Sequence, residues 1–247
     1  EAVDQSLESF YRSGYLHNHM RMYIASISCN VGGAHWLKPA RWMYYHLLDA
    51  DWGSNALSWQ WVAGTFSSRK YYANQENINR YFGSRQRDTF LDMDYEQLVN
   101  SAPPEALQEV AEPPDQMQLP AFREPDINES LPVLIYDFYH LDPLWKRDIA
   151  ANRVLLLEPS FFKRYPVSAK TLQFLLELAQ NIDDIQLFTG EFGALKSRYP
   201  QLDFYFREHP SHRHYEGMME ERDWIFPEMR GYYPSFSKFW KQAEKVL

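Results

Sequence analysis

The stretch from Ser13 to Trp61 limits what this chain can be more than any other; its key pieces read SGYLHNHMRM, HWLKPARW and LLDADWGSNALSWQW in order. Asp51, Asn55 and Trp59 fall at i, i+4 and i+8, so a helix sets a carboxylate, an amide and an indole on one face. Asp49 stands just before them at an expected helix start, and the earlier segment offers Asn18 and Arg21 as matching polar groups. A simple core helix has no use for such a face. An Arg–carboxylate pair beside an aromatic ring instead suits a planar heteroaromatic ligand.

Around that stretch the opening hundred residues read as wholly helical. Residues 3–12 form a short helix that leads into Gly14, and Tyr15 to Ile27 is periodic until Gly32 and Gly33 end it. Another helix begins near Pro39, which suits a first turn, and Asp49 to Val62 forms the next. RKYYANQENINRYFG is expected to cover the ligand site with short helices and loops. Residues 101–130 are rich in proline and acid without a sustained apolar period and read as a linker. LPVLIYDFYH, RVLLLEP, IQLFTG and LDFYFREH read as strands, with AKTLQFLLELAQ as an amphipathic helix between them and SFSKFWKQAEKVL as a closing helix. The fold class is therefore α+β overall: a helical domain over 1–100, a linker over 101–130, and a smaller α/β domain over 131–247 with a mostly parallel sheet.

At 247 residues, 45% hydrophobic and 17% aromatic, the chain has ample material for a packed core. No run of eighteen apolar residues is present, so no membrane partner is expected. The single cysteine, Cys29, cannot form an internal disulfide, and a cytoplasmic protein is expected. The net charge of −8 is unevenly spread: residues 1–87 hold nine Lys and Arg against six Asp and Glu, whereas residues 88–120 hold eight acids and no base. That balance permits phosphate contacts in the helical part without demanding them. EHPSHRHYEG gathers His209, His212 and His214 with Glu208 and Glu216, but the spacing matches no closed zinc site and no metal is expected.

GYLHNHMRM, DADWGSNALSWQW and the AG that follows resemble the flavin-binding domain of the DNA photolyase and cryptochrome family, over residues 10–65. The resemblance implies FAD as cofactor, contacted by Asn18, Arg21, Asp49, Asp51 and Asn55. Asn55 would face the reactive N5 edge, Asp49 would pair with Arg21 beside the ring, and Asp51 would meet the polar edge or ribityl part. Trp59 would lie next to the flavin with Trp36 as the following electron relay, and a third relay residue would lie outside this chain. Asn18, Met22 and Trp61 match positions that contact a cyclobutane pyrimidine dimer. Without the resemblance, Asp49, Asp51 and Asn18 read as helix caps, and Met22, Trp36 and Trp59 as core.

RVLLLEPSFFKRYPVSAKTLQFLLELAQ is also similar to part of the photolyase light-harvesting α/β domain, in which a strand ends in an acidic-proline turn before a helix. In that family the α/β domain precedes the flavin domain, and here it follows. Two further departures concern the helical part. His19 stands where the family has an arginine that holds DNA phosphate, and the residues that grip the dinucleotide phosphates lie upstream of the HNxxRM motif. The chain is accordingly expected to be a piece of a longer polypeptide, whose remainder would join it. The function implied is light-driven repair of pyrimidine dimers in damaged DNA; the alternative is a cryptochrome-like blue-light receptor whose α/β half binds a partner protein. A flavin-free helical remnant is the third possibility.

Overall fold

The computed structural model describes residues 1–67, 69–109 and 117–247. Six helices come first: α1 (Ala2–Ser13), α2 (Asn18–Ser26), α3 (Leu37–His46), α4 (Trp52–Ala63), α5 (Gln75–Phe82) and α6 (Tyr95–Asn100). They are followed by β1 (Val133–Tyr136), β2 (Asn152–Leu157), α7 (Pro159–Arg164), α8 (Ala169–Ala179), β3 (Ile185–Thr189), α9 (Phe192–Arg198), β4 (Phe204–Arg207), β5 (Met218–Glu220) and α10 (Phe236–Ala243). The fold is α+β, helical first and sheet-based second. Among the described residues no helix is long and apolar enough to cross a membrane.

Local signals explain most boundaries. α1 stops at Gly14, whose φ of 72° suits only a residue without a side chain, and a Cβ there would come 2.6 Å from Leu48 Cγ. The Gly14 carbonyl in turn accepts the Leu48 amide at 2.9 Å, which ties the end of α1 to the loop before α4. Asp51, Asn74, Asp94 and Ser168 cap α4, α5, α6 and α8 with side-chain oxygens. α4 therefore starts at Trp52, with Asp51 as its cap, three residues later than the sequence pattern implied. α2 runs into a π-helical turn over Ile27–Val31, a distortion that the sequence did not announce.

The five strands are all parallel, in the order β3-β2-β1-β4-β5. β1 and β2 are buried at every position, as a sheet covered on both faces requires. Alternation divides the faces. Leu134, Tyr136, Leu155 and Leu157 join a core shared with α8 and the helical half, whereas Val133, Ile135, Val154 and Leu156 pack on Phe192 and Leu195 of α9. The halves are thus joined by a continuous apolar core. Polar contacts reinforce the join: the Ser168 amide donates to Tyr45 O at 2.8 Å, Thr171 Oγ1 to Leu47 O at 3.2 Å, and Lys170 Nζ to Tyr11 O at 2.7 Å and to Arg12 O.

Part of the expected linker, residues 110–116, lies outside the described residues. The described remainder lies against other elements. Leu107 approaches Gly32, Phe122 packs edge-on to Phe188 at 5.5 Å, and the backbone of Asp126 exchanges hydrogen bonds with the Gln186 side chain on β3. β5 and α6 have no counterpart in the sequence reading; three exposed or half-exposed residues (MME) and a six-residue helix are too short to leave a periodic signature.

Candidate functional site

α2, the end of α3, the loop after it and α4 enclose a cavity of about 290 Å³. α2 contributes Asn18, Arg21, Met22 and Ala25, which share one helical face at i, i+3, i+4 and i+7. α4 contributes Asn55, Ser58, Trp59 and Val62 in the same way, and the loop contributes Asp49 and Asp51. Eight of the nine sequence-derived candidates therefore line one space: Asn18, Arg21, Met22, Asp49, Asp51, Asn55, Trp59 and Trp61. The ninth, Trp36, is outside that lining. It immediately precedes α3, is half-buried against the main core, and has His35 as a ring neighbour at 5.7 Å. The segment expected to cover the site does not line it; α5 packs on α1 and α2, where Asn77 accepts the Tyr23 hydroxyl.

The polar groups are fixed by short bonds. Arg21 Nη2 donates to both Asp49 carboxylate oxygens, at 3.0 and 2.9 Å, and its Nε donates to Leu16 O at 2.8 Å. Asp51 uses Oδ1 to accept the Ser54 amide at 2.6 Å. Asn55 is buried and donates Nδ2 to Ala40 O at 2.7 Å. That bond orients the amide and leaves its carbonyl oxygen without a protein donor among the described residues. The walls are apolar: Met43, Leu47, Val62 and Trp59, which is 2% exposed. Trp61 stands at the mouth, 43% exposed and tilted against Tyr71 at 5.8 Å.

A planar heteroaromatic ring fits these residues. Its faces would meet Trp59 and aliphatic side chains, and a ring N–H would meet the free Asn55 oxygen. A diphosphate does not fit them, because Arg21 is the single cation in the lining and is already engaged by Asp49. Met43 and Leu47 escaped the sequence reading, since apolar residues on a different helix carry no signal of their own. Replacing Asn55 with alanine is expected to cost about 0.5–1.5 kcal/mol by removing the side-chain bond that ties α4 to the Ala40 carbonyl of α3, measured as a lowered urea midpoint.

A second, more open cleft of about 450 Å³ lies across the Leu48–Asp51 loop, bounded by Phe138, Tyr139, Phe174, Leu175, His209 and Arg222 among others. Next to it, where β1, β2 and β4 end, the histidine cluster is divided among separate partners. His212 Nε2 meets Asp137 Oδ2 at 3.2 Å, His214 Nε2 meets Glu158 at 2.9 Å, and His209 stacks on Tyr139 at 4.5 Å. Among the described residues no group of three such side chains is arranged to hold a metal ion. Burial pulls the His209 pKa down, so the stacked ring is neutral at pH 7.

Residues 1–95 match the family described as FAD binding domain of DNA photolyase. A deoxyribodipyrimidine photo-lyase of Agrobacterium fabrum (strain C58 / ATCC 33970) is 40% identical over 63 residues, 26% of this chain and 13% of that protein. One of Streptomyces griseus is 38% identical over 63 residues, 26% of this chain and 14% of its own length. A cryptochrome DASH of Natronomonas pharaonis is 29% identical over 101 residues, 41% of this chain and 20% of the relative. The chain thus spans a fifth or less of the length of these curated relatives. No solved structure matches it. Residues 1–95 carry a FAD-binding segment of the DNA photolyase and cryptochrome family, and FAD is the cofactor that such a segment indicates.

Proposed function

We propose that the chain contributes to light-driven repair of cyclobutane pyrimidine dimers, with the flavin ring held in the α2–α4 cavity and the flipped-out dimer of damaged DNA at its mouth. The observation that carries this reading is the convergence of two residue sets on one cavity. Arg21, Asp49, Asp51, Asn55 and Trp59 suit the ring, while Asn18, Met22 and Trp61 line the same space, two of them exposed. FAD, when bound and reduced, supplies the electron that opens the cyclobutane ring and takes it back. The protein needs no nucleophile or general acid for this; its residues orient and exclude. Asn55 Oδ1 accepts a ring N–H, the Arg21–Asp49 pair fixes the polar edge, and Trp59 closes the inner wall to water. Trp61 and Met22 offer a flat, polarizable surface to a flipped-out base. Trp36 followed by Trp59 is the path by which an electron would reach the cavity from outside. Groups beyond this lining would hold the diphosphate.

The relatives named cryptochrome favour a second reading, a blue-light receptor. His19 in the arginine position weakens the grip on DNA that repair requires, and the C-terminal region presents Ile225 and Tyr232 at 88% and 89% exposure, a surface suited to a partner protein. The experiment is to load the full chain with FAD and illuminate it with an oligonucleotide carrying one thymine dimer. Light-dependent loss of the dimer, scored by chromatography of the product strand, supports repair. An intact dimer together with a light-dependent shift in oligomeric state contradicts it and supports the receptor.

A further inference from the structure

The two halves of the chain meet at the first turn of α4, the helix that carries Asn55 and Trp59. A helix begins with amide hydrogens that have no partner inside it. In α4, the Asp51 side chain takes one of these, the Ser54 amide at 2.6 Å, while its backbone carbonyl accepts the Asn55 amide at 2.9 Å as the first bond of the helix itself. The Trp52 amide donates instead to the Tyr139 hydroxyl at 3.3 Å, 87 residues further along the chain. Tyr139 lies in the turn that follows β1. Its backbone amide donates to Asp137 Oδ1 at 2.7 Å, its ring stacks on His209, and its hydroxyl also bonds that of Tyr44, on α3, at 3.1 Å.

We propose that Tyr139 is a positioning residue for the cavity: its hydroxyl fixes the first turn of α4 against α3, and with it Asp51 and Asn55, so that the α/β half completes a site it does not line. The inference rests on the flavin reading of that cavity. Three observations carry it. Tyr139 is absent from the cavity lining, so any effect it has on a ligand there acts through α4. Its hydroxyl bridges two helices that both contribute to the cavity. The turn that carries it is itself held by buried groups at the carboxyl end of the sheet, which makes it a rigid support rather than a surface contact. No sequence motif marks this role, because the partner of Trp52 is brought up by the topology alone.

The test compares the unaltered chain with Tyr139→Phe and, as a control at the same interface, Lys170→Ala, which removes bonds to Tyr11 O and Arg12 O and none to α4. Hydrogen exchange of the amides of residues 52–55 is measured on the protein without FAD, and FAD affinity is measured separately by equilibrium dialysis. In Tyr139→Phe, exchange at 52–55 is expected to speed up by about 3- to 10-fold and FAD affinity to weaken by a similar factor, the size that one neutral hydrogen bond sets, with Lys170→Ala unchanged in both. Unaltered exchange at 52–55 in Tyr139→Phe overturns the proposal, and so does equal acceleration in both variants. If Tyr139→Phe fails to fold, His209→Ala, which removes the ring stacked on Tyr139, is expected to loosen the same amides and overturns the proposal if it does not. Failure of the unaltered chain to take up FAD would overturn the flavin reading instead, and the exchange result would still decide the link between the halves.

Discussion

Trp59→Ala is expected to destabilise the chain by about 3–5 kcal/mol and to abolish FAD retention, whereas Trp59→Phe keeps the fold and the flavin but slows light-driven reduction of the flavin. Trp59 is 2% exposed and among the largest fully buried side chains of the main core. Truncation removes a large apolar surface and leaves a void that neighbouring helices fill only in part, which sets the size of the loss. The same ring forms the inner wall of the cavity, so alanine also opens the site to water. Phenylalanine restores most of the wall but is much harder to oxidise than an indole, so it separates packing from electron transfer. Urea denaturation with and without FAD, followed by flavin bleaching under blue light with a thiol donor, checks all three statements. Bleaching as fast in Trp59→Phe as in the unaltered chain would remove Trp59 from the relay.

His212→Leu is expected to cost about 3–5 kcal/mol near pH 6, because it strands the Asp137 carboxylate in the interior without its charge partner. Both side chains are buried, at 3% and 9% exposure, and the contact at 3.2 Å is held more by charge than by hydrogen-bond alignment. Burial pushes the Asp137 pKa up, but His212 outweighs it and the net shift is downward from 3.8. Burial likewise pulls His212 down, but Asp137 outweighs it and the net shift is upward from 6.5. The depressed Asp137 contributes stability above pH 3.8, lost as pH falls through its folded value. The raised His212 contributes stability below pH 6.5, lost as pH rises through its own folded value. The pair is therefore at full strength between about pH 4 and 6.5, and the urea midpoint should fall on either side of that window. In Asp137→Asn/His212→Leu the window should vanish and much of the lost stability should return, since the Asn oxygen can still accept the Tyr139 amide and no charge is left buried.

What the sequence made legible was periodic. Asp51, Asn55 and Trp59 could be assigned to one face because a helix repeats every 3.6 residues, and the paired strands β1 and β2 stood out as unbroken apolar runs. The pairing of Arg21 with Asp49 was legible through the resemblance of the motifs, since nothing in the spacing of 28 residues brings them together. What could not be read depends on packing between distant segments. Tyr139 reaches Trp52 only because β1 ends beside α4, and Met43 and Leu47 become walls only because α3 crosses behind the cavity. The Pro-rich stretch before β1 looked unattached because its contacts, Phe122 on Phe188 and Asp126 on Gln186, are isolated side chains without a period. His209, His212 and His214 looked like a group in sequence, but the turn after β4 sends each to a different partner.

Filling the space between α2, α3 and α4 tests whether the flavin ring sits there. Ser58 is exposed on α4 and lines the cavity, so Ser58→Trp puts an indole into the mouth without disturbing the buried core. Flavin absorbance retained per chain after FAD loading and desalting is the measurement, with the urea midpoint as a check on folding. One FAD is expected in the unaltered chain and none in Ser58→Trp at an unchanged midpoint. Equal FAD retention in a folded Ser58→Trp would mean that the flavin lies elsewhere.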